Sequence, residues 1–192
     1  LVSLTQAPEL PATNLSGASS CYYYMLARCL SLTQAPELPA TTLANSCYSG
    51  MFQNCTSLTT APELPATTIA PSCYKYMFYG CSGLTTGPSI LPATTLTSYC
   101  YQDMFQGCSS LTTAPELPAT TLTQYCYQYM FRNCSKLNYI KCLATNISAY
   151  NCTLYWVKGV SSTGTFVKNP NMTSWTVGNS GIPSGWTVQD AT

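Results

Sequence analysis

The chain has 192 residues, of which 46% are hydrophobic and 7% are charged, and its net charge is +1. This length and apolar content suit one folded domain with a sizeable core. The small net charge excludes a nucleic-acid binder, because phosphate binding requires clustered Lys and Arg. No apolar run is long enough for a transmembrane helix, so no membrane insertion is expected.

The first residues, LVSLTQAPEL, lack the basic region and cleavage segment of a signal peptide. They already lie within a repeat. We therefore expect the chain to be a piece of a longer protein, with any targeting signal and further repeats upstream.

Internal repetition organises the sequence. The segment LTTAPELPATT occupies 58–68 and 111–121, with near-copies that begin at Leu4 and Leu32. A repeat of 20 to 50 residues is typical of stacked repeat architectures. The insertion in LTTGPSILPATT at 84–95 explains the one longer interval. The repeat is also marked by Cys-Tyr pairs at intervals of 26, 26, 27 and 26 residues, which begin at Cys21, Cys47, Cys73, Cys100 and Cys126.

The first half of each repeat predicts a short strand followed by a turn. In the third copy, Leu58 and Ala61 are placed to point inward. Pro62 and Pro65 lack backbone donors, so the strand is confined to about 58–61.

The second half of each repeat predicts a short helix. Cys126, Met130 and Cys134 are spaced at i, i+4 and i+8, with Phe131 beside them, and form one apolar stripe. Thr123 is the expected N-cap, because its hydroxyl can accept from a first-turn amide.

The predicted fold class is an α/β repeat solenoid, a right-handed coil with short parallel strands and short helices. It spans 1–157 in about six repeats. From 158 to 192 the period is lost, and two WTV segments at Trp175 and Trp186 predict strands of a small C-terminal β cap. A cap is favoured over an independent binding module.

A second signature runs through the repeats: an aromatic residue, then Cys three residues later, then Leu three residues after that. In this feature the sequence resembles the BspA-like leucine-rich-repeat proteins of bacteria. The resemblance implies a leucine-rich-repeat fold in a secreted or surface-displayed protein that binds other macromolecules. In the first repeat Leu26 replaces the aromatic residue. The four complete copies are Phe52-Cys55-Leu58, Phe78-Cys81-Leu84, Phe105-Cys108-Leu111 and Phe131-Cys134-Leu137.

Twelve cysteines raise the question of disulfides or metal binding. The two cysteines of a predicted helix are eight residues apart, which is about 12 Å along its axis and too far for a disulfide. Bridges between adjacent repeats are conceivable. No CxxC motif and no histidine are present, so no zinc site is expected. The favoured interpretation is a ladder of small buried side chains.

An enzyme is not expected. A catalytic cysteine usually needs histidine as its base, and the chain has none. Among the six carboxylates, no two are expected to lie in the different environments that an acid–base pair requires. Neither a cofactor nor a metal is predicted.

Two sets of residues form the candidate binding surface. The glutamates recur at one repeat position, so stacking predicts a ridge whose like charges a cation or a basic partner could stabilise; the alternative is a solvated row. The tyrosines recur in one column and suit protein or carbohydrate recognition; the alternative is packing between repeats. The sets are Glu9, Glu37, Glu63 and Glu116, and Tyr48, Tyr74, Tyr101 and Tyr127.

Two functions are consistent with these features. The first is a non-enzymatic adhesion protein, extracellular or on a bacterial cell surface, that recognises a protein or glycan of a host, a neighbouring cell or a matrix. A bacterial origin is favoured because the Asn-x-Ser/Thr sites at Asn54 and Asn133 adjoin core cysteines, where glycans would crowd the repeat. The second is a structural component of an extracellular fibre or phage tail, with head-to-tail self-association.

Overall fold

The computed structural model describes residues 3–192 and is built mainly of turns and loops. Its strands are β1 (Tyr139–Cys142), β2 (Thr165–Lys168) and β3 (Thr187–Asp190), which form one parallel sheet in the order β1-β2-β3. Within residues 3–192 there is no α-helix. The predicted α/β leucine-rich-repeat solenoid, with a short helix and a short strand in every repeat, is therefore wrong.

In place of each predicted helix lies a run of overlapping β-turns, called here a turn segment. In every turn segment the first, fifth and ninth residues have a positive φ, between 51° and 82°. Tyr76 is an example: Met77 N–H donates to Tyr74 O, which closes a turn whose third residue is Tyr76, as in a type II turn. The six turn segments are 20–28, 46–54, 72–80, 99–107, 125–133 and 151–159.

Alternate backbone N–H groups of a turn segment have different partners. In the third segment, Lys75 N–H donates to Ser72 O, three residues back, whereas Tyr76 N–H donates to Gln102 O in the fourth segment. In an α-helix, by contrast, each N–H would bond to the fourth residue back in the same segment. The hydrogen bonds between segments therefore take the place of half of the local ones, and they hold the segments in register.

The apolar stripe that predicted a helix has a different cause. Two overlapping turns advance the chain by four residues, so Cys126, Met130 and Cys134 return to the same side of the turn segment. All three are buried. Thr123 is not an N-cap, because no helix follows it; its hydroxyl donates to Thr97 O in the preceding repeat.

The proline-containing halves of the repeats do not form the predicted strands. At 58–61 only Thr60 pairs with its neighbours, through isolated parallel bridges to Gln34 and Thr86. β1 occupies the equivalent place in the sixth repeat, where the sequence YIKC has no proline. Since proline removes a ladder donor, a strand of four residues forms where the prolines are missing.

The core consists of columns in which equivalent side chains of successive repeats lie on one another. Phe78 and Phe105 stack at 5.4 Å between ring centroids, and Phe105 and Phe131 at 5.6 Å. Buried leucines close the other side of the core. Cysteine thiols add hydrogen bonds between repeats: Cys81 Sγ donates to Phe52 O. The same bond recurs from Cys55, Cys108 and Cys134.

The C-terminal residues continue the parallel register of the repeats. Tyr139 of β1 pairs with Thr165 of β2, and Thr165 pairs with Thr187 of β3. The predicted boundary at 157/158 thus falls between two strands of one sheet. Of the WTV segments, the one at Trp186 leads into β3, whereas Trp175 lies outside the strands. The indole of Trp156 joins the two parts, stacking on Trp175 and donating from Nε1 to Gly181 O.

Candidate functional site

The predicted glutamate ridge is divided by contacts between repeats. The Glu63 carboxylate accepts hydrogen bonds from the backbone N–H and the hydroxyl of Ser89, in the repeat that carries the insertion. Glu116 forms an ion pair with Lys141 at 3.0 Å. Glu9 and Glu37 are exposed and border a cleft of about 480 Å³ between neighbouring proline-rich segments. The four carboxylates therefore do not present one uniform charged surface.

The four tyrosines of the candidate surface lie in the core. Each is 1% exposed, and their rings contact one another from repeat to repeat, with the first two pairs stacked and the Tyr101–Tyr127 pair tilted by 35°. Burial raises the pKa of all four phenols. The structure therefore brings Tyr48, Tyr74, Tyr101 and Tyr127 together as a packing column and places none of them at the surface.

Other tyrosines line a concave surface of about 580 Å³, called here the Asp103 groove. The groove crosses the first five turn segments. Equivalent positions there carry unlike residues. Its principal lining residues are Tyr76, Tyr79, Gln102, Asp103, Tyr129 and Arg132.

Asp103 is the most unusual residue of the groove. It is only 5% exposed and has a φ of 56°, and its backbone N–H donates to Gln128 O. No described residue forms a hydrogen bond or an ion pair with its carboxylate. Burial raises the pKa of the Asp103 carboxyl to about 6, and the nearby charges of Lys75 and Arg132 oppose that rise.

Two further polar groups of the groove are buried without a partner among the described residues. The first is Gln102 Oε1, an acceptor, and the second is Arg132 Nε, a donor. The amide nitrogen of Gln102 is engaged, donating to Gln128 Oε1. A buried polar group without a hydrogen bond costs roughly 1–3 kcal/mol. Because neither atom is accessible at the surface, this cost is internal to the protein and a ligand in the groove does not contact these two atoms.

The aromatic walls are positioned by ring and cation contacts. Tyr76 and Tyr79 meet edge to face at 5.8 Å, and the Arg132 guanidinium lies 5.3 Å from the centre of the Tyr129 ring. Gln106 donates from Nε2 to the Tyr79 hydroxyl at 3.4 Å. The three tyrosines are half-buried, so each offers part of a ring face and keeps its hydroxyl near solvent.

The thiols do not form a reactive or metal-binding group. All twelve cysteines are free, and Cys21 is the exposed one. Burial raises the pKa of the Cys21 thiol, which lowers its reactivity at neutral pH. Within residues 3–192, no three His, Cys, Asp or Glu side chains lie close enough to hold a metal ion.

Sequence reasoning named Asp103 only as one of six carboxylates and missed the groove. A signal was present at the fifth position of the turn segments, where the residues are Tyr24, Gly50, Tyr76, Asp103, Tyr129 and Tyr155. A carboxylate between two tyrosines in such a column marks a break in the pattern. The burial of Asp103, however, is seen only in the folded structure.

In comparisons with protein-family models, with curated proteins and with solved structures, no match to this chain was found. The resemblance to the BspA-like family therefore stays a prediction, while the fold that it implied is corrected above.

Proposed function

We propose that the chain is a non-catalytic binding protein that recognises a macromolecule outside the cell through the Asp103 groove. One observation carries the proposal: Asp103, which is 5% exposed and whose carboxylate has no hydrogen bond with a described residue, shares one concave surface with Arg132 and three tyrosines. Concave surfaces with aromatic walls and a few convergent polar groups are the usual form of ligand sites.

The residues of the groove support binding rather than catalysis. Asp103 is the only carboxylate that lines the groove, so a second acid–base group of unlike pKa is missing there. No cysteine lines it either. The groove therefore offers hydrogen bonds and ring faces but no nucleophile with a base.

The thiols are compatible with the proposed extracellular or bacterial-surface location. Free cysteines are uncommon in oxidising surroundings. Burial raises the pKa of the thiols in the columns, for example Cys55, Cys100 and Cys142, each to about 12. Thiols with so little thiolate react slowly with oxidants.

The test is binding of the purified chain to bacterial and epithelial cell surfaces and to matrix preparations, measured with labelled protein. We expect saturable binding that falls about tenfold or more in Asp103→Asn and in Arg132→Met, since each change removes a charged hydrogen-bond partner. Asp190→Asn makes the same carboxylate-to-amide change on exposed β3, outside the groove, and should bind like the unchanged protein. Equal binding by all four proteins, with equal melting temperatures, would show that the groove is not the site.

The outer face of the first turn segment is open to stacking, either by upstream repeats or by another copy, as in the second candidate function of a fibre component. Met25 is 38% exposed there, whereas its equivalents in the next four segments are fully buried. The carbonyls of every second residue on this face accept no hydrogen bond within residues 3–192. The equivalent carbonyls of the second segment each accept one from the first segment. The five are those of Ser19, Cys21, Tyr23, Met25 and Ala27.

Two such faces cannot satisfy each other, because both present acceptors. Self-association would therefore have to join the first segment of one copy to the other end of the next copy. We expect sedimentation velocity to show larger assemblies as protein concentration rises, with slower labelling of Cys21 in the assemblies and loss of both effects in Met25→Asp. A single monomeric species with constant Cys21 labelling would contradict a fibre.

A further inference from the structure

We propose that the ligand of the Asp103 groove is a neutral glycan, bound through its hydroxyl groups to Asp103 and Arg132. This inference rests on the proposed binding function and assigns the chemical class of the ligand. It follows from the hydrogen-bonding groups, the ring faces, the backbone and the charges of the groove.

The unpartnered groups of the groove require both donors and acceptors from one ligand. The Asp103 carboxylate accepts and the terminal nitrogens of the Arg132 guanidinium donate, and no described residue forms a hydrogen bond with either group. A hydroxyl group supplies one donor and two acceptor sites, so neighbouring hydroxyls of a sugar can bond to both. An ammonium ion supplies donors alone, and a carboxylate supplies acceptors alone.

The aromatic walls suit the flat C–H faces of a sugar ring. Tyr76, Tyr79 and Tyr129 are half-buried, and Tyr76 and Tyr79 stand at 79° to each other. Their rings can cover apolar surface while their hydroxyls stay hydrated or bond to the ligand. This combination of apolar faces and polar tips matches a ligand whose ring faces are apolar and whose edges carry hydroxyls.

An extended peptide is a poorer match, because the walls of the groove have no free backbone donors. Every N–H of 72–80 and of 99–107 already donates to a backbone carbonyl, either nearby in its own repeat or in the next repeat. Peptides that add to a protein as an extra strand depend on such free main-chain groups. The groove therefore recognises its ligand through side chains.

The charges of the groove disfavour a cationic ligand. Asp103 is its one acidic group, and Arg28 and Arg132 are its basic groups. Lys75 also acts on Asp103 electrostatically. A positive ligand would meet more like than unlike charge, whereas a neutral polyol meets no such repulsion.

The protonation state of Asp103 gives the glycan site a pH dependence. Lys75, Arg132, Tyr24 and Tyr76 are the charged and titratable groups that act on the carboxylate. The ionised carboxylate is the stronger acceptor for a hydroxyl. Because burial raises the Asp103 pKa to about 6, affinity should be complete above that pH and fall below it.

The experiment is calorimetric titration of the whole chain with mannan, β-glucan and chitin oligosaccharides, alongside poly-lysine, poly-glutamate and gelatin peptides. We expect one of the oligosaccharides to bind, with about tenfold lower affinity at pH 5 than at pH 7.5, since roughly a tenth of the Asp103 carboxyl is ionised at pH 5. Asp103→Asn should weaken binding about tenfold at pH 7.5 and remove the pH dependence. Tyr79→Ala should weaken binding at both pH values, and Asp190→Asn should change neither.

The outcomes separate this inference from the proposed function. If a peptide binds, no oligosaccharide does, and Asp103→Asn abolishes the peptide binding, the ligand class is wrong and the groove remains a binding site. If an oligosaccharide binds equally well to the unchanged protein, Asp103→Asn and Tyr79→Ala, both the glycan assignment and the groove are wrong. Melting temperatures of the variants exclude a loss of binding caused by unfolding.

Discussion

Replacing Phe105 with alanine is expected to lower the free energy of unfolding by about 3–5 kcal/mol. The ring is fully buried and lies between Phe78 and Phe131 in the phenylalanine column. Its removal leaves a cavity between two turn segments that hydrogen bonds hold at a fixed separation, so the neighbours can close it only partly. Urea unfolding followed by circular dichroism measures the change.

Phe105→Leu is the matched control, because the first turn segment carries Leu26 at the equivalent position, where it is buried. Leucine keeps most of the volume, so we expect a clearly smaller loss than for alanine. A loss below about 1 kcal/mol for alanine would mean that the phenylalanine column does not hold the repeats together.

Replacing Trp156 with alanine is also expected to lower the free energy of unfolding by about 3–5 kcal/mol. We expect the C-terminal residues of this variant to open before the rest of the chain unfolds. Trp156 takes the place that Met130 has in the fifth turn segment, and it is fully buried. Its indole lies 6.1 Å from the Phe166 ring and 5.7 Å from the Trp175 ring, measured between ring centroids, and its Nε1 donates to Gly181 O. Hydrogen exchange should therefore accelerate most at 172–186.

Trp156→Phe separates the ring contacts from the hydrogen bond. It keeps an aromatic side chain but leaves Gly181 O without its donor, so we expect an intermediate loss of stability. Exchange that accelerates equally throughout the chain in Trp156→Ala would show that the C-terminal residues do not open separately.

The sequence predicted the repeat interval of 26 residues, and in the structure the hydrogen bonds and ring contacts between repeats join residues at about this spacing. What the sequence analysis mistook was the local conformation. Over a run of only nine residues, a four-residue period and a helical period place apolar residues almost alike. The recurring Gly and Asn at the ends of the turn segments, such as Gly80 and Asn133, were the available sign of positive φ.

The binding residues were harder to predict, because the groove forms only when several turn segments lie side by side. Tyr74 and Tyr76 are two residues apart in the same turn segment, yet Tyr74 packs in the core and Tyr76 lines the groove. A helix would also turn Tyr74 toward the apolar stripe and Tyr76 away from it, since residues two apart differ by about 200°. The tyrosine column that contains Tyr74 was therefore assigned to the surface although its position beside the stripe indicated the core.

The hydrogen bonds between turn segments all run the same way, from an N–H of one segment to a carbonyl of the next. Aligned peptide dipoles add, as they do along an α-helix. The stack therefore has a negative pole at its first segment and a positive pole toward its sixth. A protein whose net charge is only +1 thus has a directional electric field that its composition does not reveal.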